Sequence, residues 1–431
     1  MIRRFVNLVL ADHDVRMHTL HRLDVAKHLF YPSTAAAEAA NAKAANHNNG
    51  SGGGGDKPKK LPRIDKRRRR RLPEPSMRFS PFFPAAADEC ADEREPWPSA
   101  DDAFLLLSPG TSEGRILHAT EGGRAVLYDA DAGSISAAVQ SFPEPMGRHP
   151  IAFSVPGAGE FMDEKESLYV MRSTIKPPPE HNRYDGSSAE ERQQDPAGDF
   201  VVLDFDQPYE WQPLPPPPFA VASAAAADSW SRSDGGGAIR ITASAVIGGG
   251  RTICVSTASS YVGCNHSYSS HGVERTYCFD TAHVPELGVW IGLSSKPPHH
   301  LCAADLSATA MNANQAPKPQ HVWDDFTPLP EESSSIVLNR RFPQYVLYRS
   351  KEWVATLADL VNLGSGRFCI VKVFDIRQDE SVGRHVDDML DDEEFAVLTG
   401  IEVVRGGEGG ELRMVKHKSK WYELGANDWV L

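Results

Sequence analysis

Residues 114–134 read GRILHATEGGRAVLYDADAGS. Gly114 leads one apolar run, Arg115–Ala119, and a second run, Ala125–Asp129, closes on an aspartate before a turn. Short runs rich in branched and aromatic side chains, bounded by Gly, Asp or Ser, are the pattern of antiparallel strands joined by hairpins. Aspartate suits the strand end because its side chain accepts the backbone N–H two residues on. The phrase recurs. Apolar runs close on Asp204, Asp280, Asp305 and Asp375, and GGGRTICVST (248–257) opens on glycine as GRILHAT does. After the turn that follows Asp204 comes Trp211, as expected if the next strand packs an aromatic against its neighbour.

Similar runs fill the chain from residue 76 onward: 103–108, 167–173, 200–205, 241–247, 252–257, 276–280, 289–294, 301–306, 368–375, 398–404 and 412–424. Convincing helical periodicity is sparse, so the fold class is all-β. A glycine-led strand, a strand closing on Asp and then an aromatic strand is the cadence of an irregular kelch-like β-propeller. A pair of β-sandwiches is the alternative, disfavoured because one strand-end phrase repeats so often. The repeat is interrupted at 276–290, TYCFDTAHVPELGVW. Read as the end of one strand and the start of the next, it leaves four residues between Asp280 and Pro285. Those reach roughly 14 Å, whereas a turn plus a strand needs about seven residues or more. This predicts an incomplete blade.

Three zones follow. Residues 1–32 hold a strand and a short helical or extended segment expected to pack on the β domain. Residues 33–75 mix an alanine-rich stretch, a Gly-Ser tract and a basic run, and read as a disordered linker. Residues 76–431 are the propeller-like domain. At 41% hydrophobic, the 431 residues suffice for a substantial core. Net charge is −13 although Lys57, Lys59, Lys60, Arg63, Lys66, Arg67, Arg68, Arg69, Arg70 and Arg71 crowd into one stretch, so the remainder is more acidic still. That argues against nucleic-acid binding except weakly through the basic run. Six cysteines without a framework spacing, four of them in apolar runs, read as buried thiols of a reducing compartment. No run approaches membrane-spanning length. The N-terminal MIRRFVNLVL is a weak leader at most, since Asp12 and Asp14 follow at once, so the expected location is cytoplasmic or nuclear, with mitochondrial targeting the lesser option.

Candidate chemistry is thin. Cys264, His266, His271 and Cys278 could hold zinc through two thiolates and two imidazoles, but CNHSYSSHG lacks C-x-x-C punctuation and reads as a hairpin loop. Asp387, Asp388, Asp391, Asp392, Glu393 and Glu394 match no EF-hand and read as a solvated acidic loop. His299 and His300 follow two prolines with no carboxylate nearby in sequence. Asn265 opens a glycosylation sequon, with no convincing signal peptide to bring it to the enzyme. Neither a nucleophile elbow nor a phosphate-binding loop is present. Catalytic, cofactor-binding and metal residues are therefore none, and no cofactor is expected.

The phrases LHRLDVAKHLFYPSTAAAEAANAKA (20–44), LLSPGTSEGRILHATEGGRAVLYDAD (106–131), TYCFDTA (276–282), VPELGVWIGLS (284–294), LVNLGSGRFCIVKVFD (360–375) and LTGIEVVRGGEGGELRMVKHKSKWY (398–422), in that order, resemble the grass-expanded plant family called domain of unknown function 1618. The resemblance implies a kelch-like or F-box-associated type of β-propeller and carries over no catalytic or binding residues. It also implies a longer passage between CFDTA and VPEL than this chain has.

The expected function is a protein-protein interaction scaffold, acting as a monomer on an unidentified protein partner. The alternatives are an enzyme with a site in the propeller's central channel, or a substrate receptor for ubiquitin ligation, the latter weakened by the lack of an F-box-like leucine-rich helix pattern. Three or more ionisable side chains converging in one pocket would favour the enzyme. The ten basic residues of 57–71 follow a Gly-Ser tract that would present them, so they are the candidate nuclear import signal. Replacing Arg67 through Arg71 with alanine is expected to move a fluorescent fusion out of nuclei; an unchanged distribution counts against the assignment.

Overall fold

The computed structural model describes residues 3–12, 17–49, 71–80, 102–107, 113–120, 124–136, 140–143, 146–147, 149–156, 166–175, 199–204, 210–215, 239–247, 252–259, 279–294, 299–305, 319–324, 331–338, 346–380, 394–406, 410–423 and 426–431. Among these residues the strands form six antiparallel sheets. The first joins the two ends of the chain, in the order β24 (Ala426–Val430), β1 (Phe5–Asp12), β2 (Met17–Asp24) and β3 (Met77–Phe79). The second runs through β4 (Ala103–Leu106), β5 (Arg115–Ala119), β6 (Ala125–Asp129) and β7 (Ser134–Ser136). The third holds β8 (Ile151–Pro156), β9 (Glu166–Met171), β11 (Phe200–Asp204) and β12 (Trp211–Pro213). The fourth has three strands, β10 (Thr174–Ile175), β13 (Ile239–Ile247) and β14 (Thr252–Ser259). The fifth is β15 (Phe279–Val284), β16 (Val289–Ser294), β17 (Leu301–Ala304) and β18 (Pro319–Trp323). The sixth is β19 (Glu331–Leu338), β20 (Val346–Gly364), β21 (Arg367–Glu380), β22 (Glu394–Gly406) and β23 (Glu411–Glu423).

Where the apolar side chains go decides between sandwich and propeller. A sandwich buries the inner faces of two sheets in one core. Here each sheet packs against a neighbour on either side. Val9, Leu20 and Phe79 of the first sheet meet Phe104 and Leu117 of the second, which share their core with Leu168, Val201 and Trp211 of the third. Phe153 and Met171 of the third meet Ile175 and Ile241 of the fourth. Strand β13 lies beside β15. Ile291 and Leu301 of the fifth meet Phe368 and Ile401 of the sixth, and Val371, Leu398 and Tyr422 of the sixth return to Val6 and Leu8 of the first. The sheets close a ring, which is a β-propeller, as the repeated phrase predicts.

Local chemistry follows the sequence at several joints. Asp129 Oδ1 accepts from the backbone N–H of Asp131 and of Ala132, each at 2.9 Å, closing β6 as a strand-end aspartate should. Trp211 is buried on β12, stacks on Phe142 at 4.3 Å between ring centroids and donates from Nε1 to Gln140 O at 2.9 Å. Asp204 and the residue before Asp305 also end strands.

Other expectations are corrected. Asp280 and Asp375 stand inside β15 and β21, because each strand continues past its aspartate into a paired register. Phe279–Val284 is therefore one strand and Pro285–Gly288 its turn: Gly288, at φ +63°, donates to Val284 O at 2.9 Å. Residues 279–284 and 289–294 form a single hairpin, not two strands severed from each other. Among the described residues the sheet containing Cys254 has three strands, and Cys278, on which the incomplete-blade expectation also turned, lies outside them. Residues 1–32 are not a segment laid upon the propeller, since β1 and β2 are strands of it. The stretch read as a linker is helical over its first part, α2 (Thr34–Asn49), and residues 50–70 lie outside the described residues.

Helix α1 (Val25–Leu29) and α2 rest on the sixth sheet with unequal anchorage. Asp24 caps α1 by accepting from Lys27 N at 3.1 Å, and Val25, Leu29 and Phe30 are buried. Each such side chain contributes about 1.5–3 kcal/mol by leaving water. Gly400 of β22 permits the approach, because a Cβ there would stand 2.7 Å from Leu29 O. In α2, among the positions whose burial is described, only Ala37 is buried, a methyl worth under about 1 kcal/mol.

Polar contacts hold the junction between the helices. Thr34 Oγ1 donates to Glu402 Oε2 at 2.7 Å, and Arg367 Nε donates to Glu402 Oε1 at 3.1 Å. Tyr31 N–H donates to His417 Nδ1 at 3.2 Å, which places the imidazole proton on Nε2, 3.3 Å from Glu402 Oε2. Lys418 Nζ donates to Phe30 O at 2.7 Å. Burial pushes His417 below its ordinary 6.5, against the pull of Glu402. Burial works to raise the Glu402 carboxyl, but hydrogen bonds from Thr34 and Arg367, the Arg367 charge and the His417 hydrogen bond outweigh it and hold it below its ordinary 4.5.

Both groups bind fewer protons folded than unfolded, so both contribute stability that falls with falling pH. The His417 contribution is complete above pH 6.5 and is lost as pH drops from there through its lowered value; that of Glu402 is lost below 4.5. Protonation of His417 adds a proton to Nδ1 that confronts the Tyr31 N–H, so the junction opens first. Exchange protection at Tyr31 and the first turn of α2, corrected for the intrinsic pH dependence of amide exchange, is expected to fall as pH drops below 6.5 while β22 stays protected. Unchanged protection across that drop would refute this account. Gly400→Ala is expected to cost about 1–3 kcal/mol in urea unfolding, by forcing α1 off the sheet.

Candidate functional site

A concave feature lies where the turns of the fifth and sixth sheets meet. The β15–β16 turn, the end of β17, the start of β18 and the β22–β23 turn all sit at the same end of their sheets, because antiparallel neighbours reverse there. Arg405, late in β22, ties the two turns together: Nη2 donates to Leu287 O at 2.6 Å and Nη1 to Gly410 O at 3.2 Å. Between them is a cleft of about 280 Å³ lined by Leu287, Asp305, Gln320, His321, Arg405 and Glu411. The His321 ring lies parallel to that of Trp323, 4° apart at 5.4 Å, two residues along the same face of β18. Trp323 also packs against the apolar core between the two sheets, while Val322 on the opposite face is 56% exposed.

The cleft offers a guanidinium, an imidazole, an amide and two carboxylates beside an aromatic platform. Arg405 and Glu411 are exposed, so water reaches them and their charges are screened. Such an arrangement sets hydrogen-bond donors, acceptors and both signs of charge side by side within reach of water.

Among the described residues another concentration of titratable groups is buried between the first two sheets. Asp102 Oδ2 accepts from His118 Nε2 at 3.0 Å and stands 3.6 Å from His18 Nδ1, with all three side chains at most 5% exposed. Phe104 stacks on His118 at 4.6 Å and Phe79 packs at 4.9 Å, closing the group between the first two sheets. Cys302 and Cys369 are buried free thiols. Burial pushes Cys369 up to about 12, against the nearby Arg3 charge, so it remains a protonated, unreactive thiol at neutral pH. Burial likewise brings Arg3 down to about 10, which leaves it charged. Among the described residues no group of three His, Cys, Asp or Glu is placed to hold a metal ion. No helix among them is long and apolar enough to cross a membrane.

Of the residues singled out from sequence, His299 and His300 occupy the β16–β17 connection, away from the cleft lining. His299, at φ +57°, has Nδ1 2.9 Å from Ser294 O, and His300 N–H donates to Ser294 Oγ at 3.0 Å. The carboxylate that sequence did not supply comes from the end of β18: Asp324 Oδ1 is 3.9 Å from His300 Nδ1. Cys264, Asn265, His266, His271, Cys278, Asp387 through Glu393 and Lys57 through Arg70 lie outside the described residues; Arg71 is exposed and Glu394 begins β22. The reading missed Arg405, His321 and Trp323. Glycines flanking Arg405 in VVRGGEGGEL and the alternation of HVW were the available signals.

Comparison with known proteins yields one match. A family described as protein of unknown function, DUF1668, matches residues 3–283 and 282–422, two stretches meeting within β15. No curated protein and no solved structure matches the chain. The number read from the sequence phrases, 1618, is thereby corrected, and the family's description assigns no activity. With nearly the whole chain covered, the protein belongs to the DUF1668 family of proteins of unknown function.

Proposed function

We propose that this protein is a protein-protein interaction scaffold and that a partner docks at the cleft between the β15–β16 and β22–β23 turns. The observation that carries the reading is Arg405 held by two backbone carbonyls beside the stacked His321 and Trp323. Interface anchors are enriched in arginine and tryptophan, and they contribute most when their conformation is fixed before binding. Turns on a rigid ring of sheets are suited to presenting them. A ubiquitin-ligation receptor would be one form of this scaffold, its partner being a ligase component.

An enzyme is the second reading, favoured by the four ionisable side chains Asp305, His321, Arg405 and Glu411 that line one cleft. Against it stand the exposure of Arg405 and Glu411 and the commitment of two Arg405 donors to structure. Affinity capture with mass spectrometry, run in parallel on wild type, Arg405→Ala, Trp323→Ala and the distant surface control Lys43→Ala, separates these readings. A specific partner retained by wild type and Lys43→Ala but depleted about tenfold or more by both cleft variants is expected, corresponding to about 1.4 kcal/mol or more. An identical captured set for all four proteins would remove the cleft from the interface.

A further inference from the structure

Strand β23 ends the order of the sixth sheet among the described residues, and helix α2 lies against it. An edge strand presents backbone N–H and C=O groups that can template another strand. Here a side chain takes that place: Asn41 Nδ2 donates to Lys416 O at 2.8 Å, where the N–H of an added strand would come. Glu38 Oε1 stands 2.5 Å from Arg413 Nη2, both partly exposed. Along thirteen residues β23 carries Arg413, Lys416, Lys418 and Lys420, with Glu411 and Glu423 only at its ends.

Two features make this cover removable. Ala37 is the one buried residue among the described positions of α2, so lifting the helix exposes little apolar surface. What holds it is a few polar contacts, Thr34 to Glu402, Glu38 to Arg413 and Asn41 to Lys416, around a stretch with six alanines in the first nine residues after Thr34. Helix α1, with Val25, Leu29 and Phe30 buried, stays as the hinge.

We propose that α2 is a displaceable cover of the β23 edge, and that the uncovered edge takes an extended, acidic segment of a partner protein by strand addition. Main-chain hydrogen bonds would supply affinity and the row of cations would supply selectivity, with carboxylates standing where Glu38 now stands. The proposal rests on the scaffold reading only in taking the ligand to be protein, and its surface is separate from Arg405.

The test uses a fluorescent decapeptide of alternating Glu and Val, with a Lys-Val decapeptide as control, titrated into the full chain by anisotropy. Glu38→Ala with Asn41→Ala removes the ion pair and the amide. In that variant hydrogen exchange across 34–44 is expected to rise about tenfold or more with β22 still protected, and Glu-Val affinity to rise by about the same factor. Adding Arg413→Glu and Lys416→Glu should abolish the gain. Wild type provides the second measurement: saturating Glu-Val peptide should itself accelerate exchange in 34–44. Faster exchange without tighter binding, equal gain for the Lys-Val peptide, or unchanged exchange in both measurements overturns the proposal. Arg405→Ala should leave peptide binding as in wild type, so failure at the cleft and failure at the edge are told apart.

Discussion

The pairing of the first strand with the last is the constraint on which the rest of the ring depends. Asn7 and Leu431 exchange backbone hydrogen bonds at 3.0 and 2.9 Å, and Leu8 and Val9 lie opposite Val430 and Trp429. One sheet is thus assembled from residues more than four hundred positions apart. Its two faces feed different cores: Val9 and Leu20 point toward the second sheet, Leu8 and Leu23 toward the sixth. Strand alternation makes this possible, since successive side chains emerge on opposite faces. Without β24 the first sheet would keep its hairpin but expose the edge of β1. Leu431 and Val430 would also leave the two cores against which they pack. Closure carries a large entropic cost in contact order, offset only when every inter-sheet core forms together.

The same geometry explains where polar groups are buried. Loops can hydrogen-bond to water, but side chains trapped at a junction between sheets cannot. His118, from β5, hydrogen-bonds Asp102 at the entry to β4, with His18 of β2 3.6 Å from the same carboxylate. On the sixth sheet Glu402 gathers Thr34, the partly exposed Arg367 and His417, which accepts from the backbone of Tyr31. Removing one member of such a group leaves the others unpaired in a medium of low dielectric, which costs more than the bond was worth.

What the sequence revealed and what it hid divide along a physical line. Short-range chemistry was legible: the Asp129 turn and the strands Arg115–Ala119, Ala125–Asp129 and Val289–Ser294 fall where the residue pattern puts them. Trp211 packs as an aromatic strand should. Asp280 and Asp375 misled because an aspartate can also sit in the body of a long strand whose register is fixed by its neighbours. The alanine-rich stretch after Pro32 has high helix propensity, yet its low hydrophobicity and the Gly-Ser tract beyond it masked the helix. What orders it, the reach of Thr34 to Glu402 and Asn41 to Lys416, spans more than 360 positions. The candidate site was invisible for the same reason, since Leu287, His321 and Arg405 come from three separate hairpins.

The hairpin at β15 sits where two stretches of family similarity meet. Family similarity breaks at residues 282–283, within a strand that is continuous in space. On one side β15 is fully registered with β16, from Phe279 opposite Ser294 to Val284 opposite Val289; on the other it runs beside β13 of the three-stranded sheet. A single six-residue strand therefore stands at the seam between two sheets. The arrangement works because a propeller's stability resides in contacts between adjacent sheets, each of which needs a continuous apolar face more than a fixed number of strands. Val284, Leu287, Val289 and Ile291 supply that face toward the sixth sheet, and the Arg405 bond to Leu287 O locks the turn to it. The same guanidinium that frames the cleft thus also ties the β15–β16 turn to the sixth sheet, so one residue shapes the concave surface and joins two sheets.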